Sequence, residues 1–310
     1  MDVFGQVVLG VTRNPVVRSV ATRSSISRAM VSRFVPGEDV DAAQDAVAAL
    51  TADGLRVTLD YLGEDITDVA QALETVEAYR VLVARLADAG LTEGNEISVK
   101  LSALGQSLGP DGPKESTERA HSLVQHAAAH GMDVTLDMED HTTIDNTLET
   151  LRTLRTEFPR VGGVLQTMNF RTQADARDLA FPGSRVRLVK GAYAEPESVA
   201  YAGKADTERA YVACLRTLVA GGAYPMIATH DLRMVRFAER LLNEHGRGSD
   251  EAEFQMLYGI RTTEQHRLAE SGRTVRVYVP YGTDWYGYFT RRLAERPANM
   301  AFLFRSLVQR

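Results

Sequence analysis

Eight short runs rich in β-branched and other apolar residues punctuate this chain, at Arg56–Tyr61, Glu96–Leu101, Asp133–Asp137, Gly163–Gln166, Arg185–Val189, Pro225–Ala228, Glu253–Leu257 and Thr274–Val279. Each is apolar enough to be buried on both faces, which is how strands of a parallel sheet read. Between them lie windows in which apolar residues recur every three or four positions, among them Val69–Ala89, Ser116–Ala129, Thr143–Phe158, Thr207–Val219 and Leu232–Glu244. Strand–helix units in series specify parallel strands, and eight is the number that closes a (β/α)₈ TIM-type barrel. An open doubly wound sheet is the alternative. Residues 1–54 precede the first run as an N-terminal helical extension, in which Val40, Ala43, Val47 and Leu50 share a helical face. Residues 55–310 then form the barrel, with C-terminal helices of which the last lies over the barrel mouth.

A barrel of this kind carries its chemistry at the C-terminal ends of its strands. Those ends are polar here: Asp60 and Glu64 after the first run, Lys100 after the second, Asp137 after the third and Gln166 after the fourth. The fifth run brings Arg187 and Lys190, the sixth Thr229 and His230, and the eighth Tyr278. Chance would scatter such groups over both ends of the barrel.

Several of these residues admit more than one reading. Asp137-Met138-Glu139-Asp140-His141 is acidic enough to hold a divalent metal or to move protons. Capping of the helix that follows is the favoured reading for Glu139 to Thr142, and function is the favoured reading for Asp137, the last residue of its strand. Lys100 and Lys190 each suit a Schiff base or a cationic binding role, and neighbouring carboxylates favour binding. Arg291-Arg292 follows the eighth strand closely, so two guanidinium forks can reach one carboxylate, an arrangement that lysine cannot reproduce. Gly191 lets the backbone approach a ligand.

The usual dinucleotide, triphosphate and zinc-protease signatures, G-x-G-x-x-G after a strand, G-x-x-x-x-G-K-[ST] and H-E-x-x-H, do not occur. A net charge of −6 argues against nucleic acid as a partner. Cys214 is the single cysteine, which excludes an internal disulfide and a thiolate metal cluster and fits a cytoplasmic setting. Met1 to Gly10 does not read as a secretory signal, and no stretch is long and apolar enough for a membrane span.

Taken in order, the segments Thr58-Leu59-Asp60-Tyr61-Leu62-Gly63-Glu64, Ile97-Ser98-Val99-Lys100-Leu101, Leu136-Asp137-Met138-Glu139-Asp140 and Arg187-Leu188-Val189-Lys190-Gly191-Ala192-Tyr193 resemble the proline dehydrogenase family. So do Ala228-Thr229-His230-Asp231, Leu257-Tyr258-Gly259-Ile260-Arg261 and Tyr288-Phe289-Thr290-Arg291-Arg292-Leu293-Ala294-Glu295, so the likeness runs from about Leu55 to Asn299. It implies FAD as cofactor and oxidation of L-proline to 1-pyrroline-5-carboxylate, the first step of proline catabolism to glutamate. It also implies a quinone as electron acceptor and peripheral contact with the inner face of the membrane. By the same resemblance Arg291, Arg292 and Lys100 hold the proline carboxylate, Tyr278 and Tyr288 shape the pocket, and Glu64 pairs with Arg291 as a gate. Asp137 falls at an active-site position and Arg187 meets the flavin near its reactive nitrogen. Met138, Gln166, Lys190, Gly191, Ala192, Thr229 and His230 match other flavin-contacting positions. The run Thr167-Met168-Asn169 departs from many members.

Proline must shed its ammonium proton before a hydride can leave the adjacent carbon. Asp137 with Lys100 and water is placed to help that transfer, and Arg187 to stabilise the charge that develops on reduction. The amphipathic stretch Ala301–Val308 suits packing on the barrel or contact with lipid. Two other functions stay open on the residues alone. One is a lysine-dependent aldolase or metal-dependent hydrolase, the other a binding barrel, which would lack convergent charges at its strand ends.

Overall fold

The computed structural model describes residues 31–63 and 66–288. Eight strands, β1 (Arg56–Tyr61), β2 (Glu96–Val99), β3 (Asp133–Leu136), β4 (Gly162–Gln166), β5 (Arg185–Val189), β6 (Tyr224–Ala228), β7 (Glu253–Leu257) and β8 (Thr274–Tyr281), close into a barrel in chain order. Every pairing is parallel, and β1 pairs with both β2 and β8. The expected fold is the observed one. Outside the strands run α1 (Val40–Ala52), α2 (Val69–Asp88), α3 (Gly112–Ala129), α4 (Ile144–Arg155), α5 (Thr172–Asp178), α6 (Lys204–Ala220), α7 (Leu232–Glu244) and α8 (Thr262–Glu270). A 3₁₀ turn at Ser102–Leu104 follows β2.

Local chemistry starts several of these helices. Asp39, Asp68 and Asp231 stand in extended backbone and accept the first free N–H groups of α1, α2 and α7, from Ala42, Gln71 and Arg233. The α1 helix packs on β1, β8 and α2, so it fills the outer ring between the last strand and the first. Its Ala43, Ala46 and Val47 are buried in the same core as the barrel strands. The segment expected as an extension thus supplies, through α1, the wall that a helix after β8 supplies in a regular barrel. After β8 the chain turns at Gly282, whose N–H donates to the Gly37 carbonyl, and a second apolar cluster gathers Val31, Phe34, Leu62, Trp285 and Tyr288. The Arg291-Arg292 pair, the rest of the expected final helix and Glu64 lie outside the described residues.

Five strands differ from their expected bounds by one or two residues, and β3 ends at Leu136, so Asp137 follows its strand instead of ending it; the larger departure is in what lines the barrel. The strands are buried on both faces, but their inner face is not apolar. Arg185 and Arg187 on β5 bond to Glu96 on β2, and Tyr278 on β8 bonds to Asp137 after β3. These strands are not neighbours, so the bonds cross the barrel interior. A lower layer holds Glu96, Arg185, Glu253 and Arg276, all at most 3% exposed, where branched aliphatic side chains would ordinarily pack.

Candidate functional site

Above that ionic layer a cavity of about 440 Å³ opens at the C-terminal ends of the strands. Lys100, Asp137, Met138, Gln166, Arg187, Lys190, Gly191, Ala192, Thr229, His230, Tyr278 and Tyr288 all line it, so every described residue expected to meet substrate or flavin reaches one space.

Its floor is built on Arg187. The Nε of Arg187 donates to Gln255 Oε1 at 2.6 Å, one terminal nitrogen to Ser98 Oγ at 2.9 Å and Asp137 Oδ1 at 2.6 Å, and the other to Glu96 Oε1 at 2.9 Å. Four of five guanidinium N–H groups are thereby bonded to fixed acceptors, which is how a fully buried charge is tolerated. Burial works against the charge, but the Asp137 and Glu96 carboxylates outweigh it and raise the guanidinium above its ordinary range. Its carbon lies 5.3 Å from the centre of the Tyr278 ring, a cation–π contact that fixes the ring.

Asp137 ties this floor to the opposite wall. Its second oxygen accepts from the Tyr278 hydroxyl at 2.8 Å and lies 3.5 Å from Lys100 Nζ, which donates to Asp60 at 2.8 Å. Burial favours the neutral acid, yet Arg187 first and then Lys100, with the hydroxyls of Tyr278 and Ser98, hold the Asp137 carboxyl below its ordinary 3.8. The folded-state value is depressed, so this carboxylate adds stability above about pH 4 that is lost as pH falls through the lower folded-state value. Burial, and then the charges of Asp137 and Asp60, push the Tyr278 hydroxyl well above 10.0, so it stays a donor. Lys100, with two carboxylate partners, is arranged as a cationic binder rather than an imine-forming amine.

The other wall comes from β4 to β6. The Gln166 amide donates to the Glu139 carbonyl at 2.6 Å, and Lys190 pairs with Glu208 at 2.9 Å and Asp231 at 3.3 Å. His230 Nε2 accepts the Leu257 N–H at 3.0 Å and so carries its proton on Nδ1 when neutral, while Thr229 Oγ1 accepts from Asp231 N at 3.2 Å. Gly191 has φ of 102°, and a Cβ there would meet the Met168 sulfur at 2.2 Å. The Met168 N–H is itself held by the Lys190 carbonyl at 2.8 Å, so the backbone of Met168 stays in place and its side chain must swing aside. Gly191→Ala is expected to cost about 1–3 kcal/mol, read as a lower thermal unfolding midpoint with Gly183→Ala, which meets nothing within 4 Å, as the control for left-handed backbone alone.

The acidic run after β3 disperses. Glu139 accepts the Ser102 N–H at 3.0 Å and the Ser102 hydroxyl, pinning the 3₁₀ turn, whereas capping of the helix after β3 was expected of it. Asp140 accepts Thr142 N at 2.8 Å in a turn before α4, and His141 pairs with Glu195 at 2.5 Å. With Asp137 turned to the interior, these side chains diverge. Among the described residues no group of three or more His, Cys, Asp or Glu is placed to hold a metal.

Sequence reasoning missed Glu96, Ser98 and Gln255. Their signal is alternation: Glu96, Ser98 and Lys100 interleave with Ile97 and Val99, as Arg185 and Arg187 flank Val186. Polar residues at every second position of a strand with a covered outer face must line the inside.

A bound flavin can be tested against this geometry. The cavity lies within the size range of small-molecule sites. Its floor offers a fixed cation where a ring that takes up a hydride gains negative charge, and its β4–β6 wall offers Gln166, Lys190, Thr229 and His230 as polar partners. These residues fit such a group.

Comparison with known proteins agrees with the architecture. The solved structure of proline utilization A from Bdellovibrio bacteriovorus superposes with a TM-score of 0.79 over 86% of this chain at 24% identity, a likeness of fold. The corresponding enzyme from Bradyrhizobium japonicum gives 0.73 over 89% at 25% identity. This chain spans 32% of the length of each of those chains. Among curated relatives, the proline dehydrogenase of Deinococcus radiodurans is 40% identical over 310 residues, 99% of both chains. Proline dehydrogenase 2 of Bacillus subtilis is 39% identical over 284 residues, 92% of both. The family profile described as proline dehydrogenase matches residues 43–305, and with relatives of this identity along its whole length the chain belongs to the proline dehydrogenase family.

Proposed function

We propose that this protein oxidises L-proline to 1-pyrroline-5-carboxylate at the mouth of its barrel, with FAD as the hydride acceptor and a quinone as the final electron acceptor. The observation that carries the reading is the buttressed Arg187 at the cavity floor, facing the same space as Lys100 and the Asp137–Tyr278 pair. The relatives named above are called proline dehydrogenases, which supports proline as the substrate.

Within this reading FAD supplies a ring that takes the hydride from the substrate carbon beside nitrogen. Gln166, Lys190, the Gly191–Ala192 backbone, Thr229 and His230 are the residues that would hold it, with Met138 packing against it. Lys100 binds the substrate carboxylate, together with Arg291 and Arg292, which the sequence places after β8. Tyr278 and Tyr288 enclose the substrate ring and keep water away from it. Both Asp137 oxygens are engaged and its carboxyl is held acidic, so it is a weak base. Its role is to fix Arg187, Lys100 and Tyr278, and substrate enters the reaction with its nitrogen already neutral. Glu64 as a gate and peripheral membrane contact belong to the same reading, and no described helix is long and apolar enough to cross a membrane.

The test is direct. Protein purified or reconstituted with FAD should show a visible flavin spectrum that bleaches on anaerobic addition of proline. Protein that takes up no flavin, or flavin that proline leaves oxidised, ends the proposal. The acidity of Asp137 adds a pH prediction: kcat/KM for proline rises through neutral and alkaline pH as the substrate amine deprotonates, with no inflection from a carboxylate. A limb with an apparent pKa between about 5 and 7 that disappears in Asp137→Asn would assign Asp137 the base role instead.

A further inference from the structure

We propose that Glu96, buried below the cavity floor, sets how much positive charge Arg187 presents to the cavity and thereby tunes the electron affinity of whatever ring is reduced there. The inference rests on the flavin reading above and makes Glu96 a positioning residue acting through Arg187.

The barrel interior holds four buried cations, Lys100, Arg185, Arg187 and Arg276, and four buried carboxylates, Asp60, Glu96, Asp137 and Glu253. Glu96 is 0% exposed and is shared by three of the arginines: Arg185 at 2.6 Å, Arg187 at 2.9 Å and Arg276 at 3.8 Å. The other partners are fixed differently. Glu253 takes Arg276 through both oxygens, at 2.7 and 3.0 Å, and also accepts from the Gln255 amide at 2.6 Å, which aims the Gln255 oxygen at Arg187. Glu96 is thus the counter-charge beneath Arg187, as Asp137 is the one above it.

Of the three arginines on Glu96, only Arg187 lines the cavity. Neutralising Glu96 leaves one uncompensated positive charge in the interior, and it is felt at the cavity through Arg187. A ring that accepts a hydride takes up two electrons and one proton and so gains one negative charge, which the added positive potential favours. A unit charge about 10 Å away, at an effective dielectric of about 20, changes such an equilibrium roughly tenfold. Thr58 supplies a control of opposite sign. Its hydroxyl donates to Glu96 Oε1 at 2.6 Å, the oxygen that also faces Arg187, so removing it concentrates negative charge on that side.

The experiment is a midpoint-potential titration of the bound flavin in the holoenzyme. Glu96→Gln should favour the reduced form by about tenfold, a shift of about 30 mV to more positive potential for a two-electron couple. Thr58→Val should shift it the other way by a smaller amount. Potentials equal to wild type in both variants, or two shifts of the same sign, overturn the proposal, because a merely structural glutamate would move neither in a charge-dependent direction. If Glu96→Gln does not accumulate as folded protein, Thr58→Val decides alone: a more negative potential supports the proposal, and an unchanged or more positive one overturns it. Wild-type flavin that proline fails to bleach would defeat the function while leaving the potential test of Glu96 intact.

Discussion

Arg187→Lys should lower the rate of anaerobic flavin reduction by proline about 10²–10³-fold, the loss typical when a fixed donor to a developing charge is removed. Lysine keeps the charge, but an ammonium has three donors on one atom. It cannot span Gln255, Ser98, Asp137 and Glu96, which surround the guanidinium at 2.6 to 2.9 Å on three separate nitrogens. Asp137 loses its 2.6 Å guanidinium contact in the same step, so the common anchor of Tyr278 and Lys100 is less firmly placed. Stopped-flow reduction, with proline affinity read from the concentration dependence, separates the two consequences: the limiting rate should fall far more than the affinity. A limiting rate within a few-fold of wild type would remove Arg187 from the chemistry.

The second large effect is on stability. Arg276→Met should cost about 3–5 kcal/mol, the usual penalty for leaving a buried charge without its partner. Arg276 is 2% exposed, grips Glu253 through two nitrogens and donates to the Val57 and Gly94 carbonyls at 3.0 and 2.9 Å. Such a loss is a large part of the roughly 5–15 kcal/mol by which a folded protein is stable. It is measured as a lower urea midpoint at unchanged slope. Adding Glu253→Gln should recover part of the loss, because the stranded carboxylate disappears while the amide still reaches the Tyr224 hydroxyl, 3.0 Å from Glu253 in the wild type. A double variant no more stable than Arg276→Met would show that the methionine's packing, and not the unpaired charge, sets the cost.

The secondary structure was legible because its causes are local. A strand covered on its outer face by helices shows as a short apolar run, and a helix with one buried stripe shows as a three-to-four periodicity. β1, β5, β7 and α7 match their expected bounds. The series of strand–helix units calls for helices after β4 and β7, but α5 and α8, which fill those places, are short, with few buried residues each: Thr172, Asp175 and Ala176 in one, Gln265 and Leu268 in the other. So little apolar periodicity leaves their bounds unmarked in the sequence. The α8 helix also begins after Arg261 at φ of 57°, with no side-chain cap to announce it.

The candidate site was legible for a related reason. Once eight parallel strands are counted, polarity along the chain alone says which end of each strand is the upper one, so Lys100, Asp137, Gln166, Lys190, Thr229 and His230 could be assigned to one mouth before any coordinate was known. What pairs with what inside the barrel could not. Glu96 meets Arg185 and Arg187 across 89 and 91 positions of sequence, and Tyr278 meets Asp137 across 141. Those encounters depend on strand stagger and barrel closure, which no local pattern encodes. The sequence by itself determined the barrel and the ring of polar groups at its mouth, because burial and periodicity act within a few residues. Only the tertiary structure decided that the interior is ionic and that one arginine stands between two carboxylates at its floor, because a charge buried in low dielectric is settled by partners that only closure brings within reach.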